Sequence, residues 1–142
     1  KKILWKFINR FHKNIKPARY LDATQVGWSL NYPNQNFILL INLLHLISWK
    51  KTKILIKEIF QSLSLDGIFI LYGPFMRDGK LTSKGDIEFH KNILENDPTL
   101  GYKDDKEVIT LLLKLGITHL ETVKMPANNL AFIFQKLTIS LS

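Results

Sequence analysis

The sequence predicts an α/β domain with a mostly parallel sheet and an antiparallel hairpin at its carboxyl end. Three observations carry this. Phe37 to Ile41 and Ile68 to Tyr72 are unbroken apolar runs, the pattern of strands buried on both faces rather than strands with one wet face. Apolar residues at helical spacing lie between and after them, and strand–helix alternation is the signature of a parallel sheet covered by helices. The last two strand-like runs are joined only by Pro126-Ala127-Asn128-Asn129. A parallel crossover needs about a dozen residues, so these two must form a hairpin.

Taken in order, residues 1–15 place Leu4, Ile8, Phe11 and Ile15 at helical spacing, with lysines and arginines opposite, before Pro17. Such a basic amphipathic helix ordinarily packs its stripe on a sheet; its other use is a membrane surface or an acidic partner. Arg19 to Ala23 is short and strand-like, and a turn-rich connector with Gly27, Trp28 and Pro33 follows. Phe37 to Ile41 is then the central strand, since burying each of its side chains stabilises by roughly 1.5–3 kcal/mol. Leu55, Ile59 and Leu63 describe a helix with Ser48 as its N-cap. Leu65-Asp66-Gly67 is expected to close that helix and open the second strand, which stops at Gly73-Pro74. Residues 75–82 read as a loop turning at Asp78-Gly79. Ser83 with Asp86 opens a helix that ends at Asp97-Pro98, and Asp105 to Leu115 is another, stopped by Gly116. His119 to Met125 and Leu130 to Lys136 complete the chain as the hairpin.

The 142 residues, 46% hydrophobic and 23% charged, suit one domain spanning 1–142. Cysteine is absent, which excludes disulfides and thiolate chemistry and leans toward a reducing, cytoplasmic setting. No apolar run approaches ~18 residues, so no membrane span is expected, and KKILWKF lacks the long apolar core of a signal peptide. The chain begins with lysine, and the expectation is that it is a segment of a longer product. Of the net charge of +8, residues 1–19 hold seven Lys/Arg and no acid, while the rest hold thirteen against twelve Asp/Glu. A domain-wide basic field is absent, so no specific nucleic acid is expected as a partner.

Candidate functional residues gather at strand ends, because open α/β sheets bind ligands beyond the carboxyl ends of their strands. Asp22 could accept hydrogen bonds from an adenine or a ribose, or could simply cap a turn. Asn42, His45 and Trp49 follow the central strand; His45 could serve as a general base or be a structural histidine. Tyr72 ends the second apolar run, and Asn128-Asn129 forms the hairpin tip, where Asn also suits tight turns. No GxG or GxxxxGK phosphate cradle exists, no metal-spaced histidines, and no recognisable Ser/His/Asp triad.

INLLHLISW at 41–49, LYGPFMRDGKLT at 71–82, EFHKNILENDPTLGYKD at 88–104 and VKMPANNLAFIF at 123–134 together resemble the domain-of-unknown-function 938 family, also called methyltransferase-like protein 26. The resemblance runs from about Lys16 to Lys136. It implies a Rossmann-like class I methyltransferase sheet, N-terminally truncated, in which this chain holds the third to seventh strands and the seventh inserts antiparallel between the fifth and sixth. By that resemblance Asp22 and Ala23 would face the adenine of S-adenosylmethionine, and Asn42 with Leu43 its methionine portion. His45, Trp49, Tyr72, Asn128 and Asn129 would shape the pocket of a small-molecule or macromolecular methyl acceptor. The first strand with its glycine-rich loop and the second strand with its ribose-binding acid have no counterpart here. The implied activity is therefore S-adenosylmethionine-dependent methyl transfer, with cofactor binding by this chain alone in doubt. The alternative is a non-catalytic α/β remnant that binds a protein through an exposed sheet edge and its basic first helix.

Overall fold

The computed structural model describes residues 14–137. Strand β1 (Gln35–Ile41) leads through a short 3-10 turn to helix α1 (Trp49–Ser62), which feeds strand β2 (Leu63–Met76). Helix α2 (Lys84–Asn96), the two-residue strand β3 (Lys103–Asp104) and helix α3 (Asp105–Lys114) come next, then the hairpin of β4 (Ile117–Lys124) and β5 (Asn129–Lys136). Each helix start is specified by its cap. Ser48 accepts from Lys51 N–H, Ser83 from Asp86 N–H, and Asp104 from the N–H groups of Lys106 and Glu107. These side chains satisfy donors that a first helical turn leaves without partners.

The sheet runs β1-β2-β5-β4, with β3 beside the end of β2. The two apolar runs pair in parallel as expected, Phe37 with Ile68 through Ile41 with Tyr72. β5 lies antiparallel to β2, with Ile70 opposite Ile133, and antiparallel to β4. Hence β4 runs parallel to β2 with β5 inserted between them. Helices α1 and α3 cover one face of this sheet. Leu55, Ile56 and Ile59 of α1 and Val108 and Leu112 of α3 pack on Phe69, Leu71, Phe132 and Phe134, all essentially inaccessible. At roughly 1.5–3 kcal/mol per side chain, this layer holds the domain together.

Four expectations need amendment. The run Phe37 to Ile41 is not buried on both faces: Phe37, Leu39 and Ile41 are 54%, 50% and 53% exposed, because no described element covers the second face. Arg19 to Ala23 forms no strand. A strand requires a hydrogen-bonded neighbour, and the chain there instead turns at Asp22, whose carboxylate takes the Thr24 N–H. Leu65-Asp66-Gly67 does not separate α1 from β2; Asp66, at φ 60°, sits in a strand that already begins at Leu63. A left-handed residue here is accommodated as an irregularity in pairing with β1 between Gln35 and Phe37. Nor does Gly73-Pro74 end β2, which continues to Met76. Tyr72 C=O accepts from Asn42 N–H on the β1 side; strand alternation points Pro74 to that same side, where β1 has ended and no donor is needed. The helix expected over 1–15 lies, apart from Asn14 and Ile15, outside the described residues. Among the described residues no helix is long and apolar enough to cross a membrane.

Candidate functional site

Three loops and helix α2 meet at the carboxyl ends of β1 and β2. From the turn after β1 comes His45, 6% exposed, whose backbone carbonyl accepts Gly101 N–H at 3.0 Å. From α2 come Asp86 and His90, from the approach to β3 Tyr102 and Lys103, and from the hairpin tip Asn128. Asp86 joins them. Its Oδ1 accepts from the Tyr102 hydroxyl at 3.0 Å, and its Oδ2 from Ser83 Oγ at 2.8 Å and Asn128 Nδ2 at 3.1 Å. Arg77 braces the tip from just past β2, donating to Asn128 O at 2.8 Å and to Phe75 O at 2.9 Å.

The Gly101 backbone sets the spacing of the cluster. Its φ is +99°, and an added Cβ would lie 2.7 Å from His90 Cε1; only glycine allows both the left-handed backbone and so close an imidazole. Next in chain, Tyr102 N–H donates to His90 Nδ1 at 3.0 Å. That bond requires a lone pair on Nδ1, which places the proton of neutral His90 on Nε2. Lys103 Nζ then turns back onto Gly101 O at 2.7 Å.

Burial and hydrogen bonding set the charge states. Burial lowers the pKa of both His45 and His90, and the Lys103 ammonium lowers both further, so each imidazole is neutral at neutral pH. Burial would raise the Asp86 carboxyl, but the hydrogen bonds from Ser83, Tyr102 and Asn128 outweigh it and hold it below its ordinary value. The Tyr102 phenol is raised by burial and by donating to Asp86, so it stays protonated. Lys103 is pushed down to about 8 by burial. The site thus offers an ionised carboxylate fully spent on structure, two neutral imidazoles and a buried cation.

The residues named from sequence divide. His45 and Asn128 enter this cluster. Asn129 starts β5 and donates through its side chain to Pro126 O at 3.1 Å, serving the turn. Tyr72 lies on the uncovered sheet face, level with Ile41. Trp49 faces a separate cleft of about 390 Å³ between α1 and α3, lined also by Lys53, Lys106, Glu107, Thr110, Leu111 and Lys114; none of these belongs to the cluster. Asn42 follows β1 with φ 52°, beside Gly73, where an added Cβ would come 3.4 Å from Asn42 Oδ1. Leu43 packs against the core, as does Ala23. Asp22 Oδ1 is taken by Thr24 N–H and Oγ1–H at 2.9 and 2.8 Å, while Oδ2 meets only Gln25 at 3.3 Å. The sequence marks Asp86 only as part of a helix start and assigns no role to His90, Tyr102 or Lys103. Their signal lies in the 88–104 stretch, where His90 sits on the helix and Gly101, Tyr102 and Lys103 follow its stop at Asp97-Pro98. Among the described residues no group of three or more acids and histidines is placed to hold a metal.

Sheet order and helix placement put this chain among Rossmann-like methyltransferase folds. An O-methyltransferase family protein from Burkholderia thailandensis superposes with a TM-score of 0.77 at 11% identity, over 98% of this chain and 41% of that one. Human N-acetylserotonin methyltransferase, solved with S-adenosylmethionine, gives 0.69 at 16% identity over 89% of this chain and 36% of that one. The S-adenosylmethionine-dependent methyltransferase SibL gives 0.71 at 13% identity, over 96% and 40%. The chain spans less than half the length of each. Residues 6–136 match the family described as protein of unknown function (DUF938), and the chain belongs to that family.

Proposed function

We propose that this chain supplies the acceptor side of an S-adenosylmethionine-dependent methyltransferase, with His45 as the base that takes the acceptor's proton. The observation that supports it most is the convergence of His45, His90, Tyr102, Lys103 and Asn128 at the carboxyl ends of β1 and β2, the edge where open α/β sheets hold ligands. A polar cluster of this kind favours an enzyme over a non-catalytic binding module. The neighbours named O-methyltransferases suggest a hydroxyl or phenol acceptor.

When bound, the cofactor supplies an electrophilic methyl group. The chain's own residues handle the proton. An acceptor O–H must lose its proton as the new bond to oxygen forms, and an imidazole kept neutral at pH 7 can receive it. His45 makes no side-chain hydrogen bond to any described residue, so its ring is uncommitted. His90 is not equivalent, because the Tyr102 N–H already occupies its Nδ1. Asp86 fixes Tyr102 and Asn128 around them.

Asp22 and Asn42 would border the adenosine and methionine portions. Hydrogen bonds contribute about 0.5–1.5 kcal/mol each, whereas micromolar binding needs about 8 kcal/mol. The 142-residue chain is therefore expected to show no calorimetric binding of S-adenosylmethionine tighter than about 10 µM. Joined to an amino-terminal half with a glycine-rich loop from another family member, it should bind, and Asp22→Ala in the joined protein should weaken that binding. A joined protein that folds but takes up no S-adenosylmethionine would refute the proposal.

A further inference from the structure

Lys103 is 7% exposed, yet its ammonium makes a single hydrogen bond, to Gly101 O. Two of its three N–H donors are unspent. All twelve Asp and Glu side chains of the sequence lie between Asp22 and Glu121, within the described residues. The ion pairs found there, Lys91–Glu95 and Lys106–Asp78, leave Lys103 without a counter-charge. The nearby carboxylates are committed elsewhere: Asp86 to Ser83, Tyr102 and Asn128, and Asp104 to the N–H groups of Gly79, Lys106 and Glu107. Its titratable neighbours His45 and His90 are neutral imidazoles, and Tyr102 is a protonated phenol. Lysines are almost never buried unless paired, because desolvating a lone ammonium is costly. The fold nevertheless holds its acceptor in place: Gly101 N–H donates to His45 O, and the next N–H, of Tyr102, to His90 Nδ1.

We propose that Lys103 forms an anion subsite beside His45, pairing with a carboxylate or phosphate carried by a small-molecule acceptor. Assigning that anion to a methyl acceptor rests on the function proposed above; the anion subsite itself does not. The pairing supplies the missing counter-charge, and it would orient an acceptor with its anionic group at Lys103 and its reacting group toward His45. With burial holding its pKa near 8, Lys103 is mostly charged at neutral pH, and a bound anion favours the charged form further.

The test uses the 142-residue chain with lysine labelled at Cε, titrated with inorganic phosphate or sodium acetate against sodium chloride of matched ionic strength. The expected result is a saturable shift of the Lys103 resonance, and a rise in its apparent pKa, with phosphate or acetate but not chloride. A response to phosphate alone identifies a phosphorylated acceptor, and one to acetate alone a carboxylate. Lys103→Met should weaken anion affinity roughly tenfold or more, as loss of a charge-assisted contact implies, while Lys103→Arg should retain a response. Without anion, Lys103→Met should melt no lower than wild type, because it removes an unpaired buried charge; a lysine present only to bond Gly101 would be missed. Should Lys103→Met fail to fold, the wild-type titration still decides. No saturable shift of Lys103 with either anion up to about 100 mM, some hundredfold above the millimolar range of weak sites, would overturn the proposal. S-adenosylmethionine plays no part in this titration, so failure of the joined protein to bind cofactor would leave an anion response standing.

Discussion

Replacing Asp86 tests whether the loops at the strand ends are truly held by one carboxylate. In Asp86→Ala, the buried Tyr102 hydroxyl loses its acceptor, as do Ser83 Oγ and Asn128 Nδ2. Hydrogen bonds to a charged group contribute about 1.5–3 kcal/mol each. The Tyr102 bond should count in full, since Tyr102 is 6% exposed; the other two reach solvent and water can replace much of them. The expected loss is about 3–4 kcal/mol, a large part of the 5–15 kcal/mol typical of a domain. Asp86→Asn should cost only about 1–2 kcal/mol. Its amide oxygen can still accept from Ser83 and Asn128, its NH₂ can donate to a rotated Tyr102 hydroxyl, and what goes is the charge assistance. Urea unfolding at pH 7 measures both. The same comparison across pH isolates the charge. Because the folded pKa lies below the ordinary 3.8, the carboxylate's contribution is fully present above about pH 4 and is lost as pH falls through the folded value. The gap between wild type and Asp86→Asn should thus be constant from pH 7 to about 4 and close below it. A loss under 1 kcal/mol in Asp86→Ala, or a gap that does not narrow as pH falls below 4, would show that the carboxylate does not hold the loops.

Gly101→Ala should cost roughly 1–3 kcal/mol from its left-handed backbone alone. It should also push His90 off Tyr102 N–H, seen in NMR titration as a His90 pKa returning toward its ordinary value. Glu58, 2% exposed, accepts the N–H groups of Gly27 and Ser29 at 2.8 and 2.9 Å; Glu58→Gln can accept only one of them and should lose about 2–4 kcal/mol in urea melts. Burial alone would raise the Glu58 carboxyl, but the Gly27 and Ser29 bonds bring it below its ordinary 4.5, so the wild-type advantage should be lost as pH falls through the folded value. Phe132→Ala, in the helix-covered layer, should cost about 3–5 kcal/mol, whereas Leu39→Thr on the open face should stay within about 1 kcal/mol. Equal losses in thermal unfolding would mean that the open face is covered in solution.

Most of the architecture was legible in local chemistry. Ser48 and Ser83 mark helix starts because capping is settled within three or four residues, and a four-residue link can only make a hairpin. Two unbroken apolar runs separated by a helix sufficed to place β1 beside β2. Burial was not legible, because it belongs to neighbours. Phe37, Leu39 and Ile41 look like a doubly buried strand, yet they are half-exposed since nothing described packs on that side. Gly73-Pro74 looks like a stop, yet β2 runs on because β1 has already ended where the proline lacks its N–H. The candidate site was half visible. His45 and Asn128 stood out by residue type at predicted strand ends. The carboxylate that joins Asn128 to Tyr102, and the lysine beside His45, come from segments far apart in sequence, and each alone reads as a cap or a surface charge. What gives them meaning is a set of distances near 3 Å between loops that meet only once the sheet has brought their strands together; residue order carries no record of those distances.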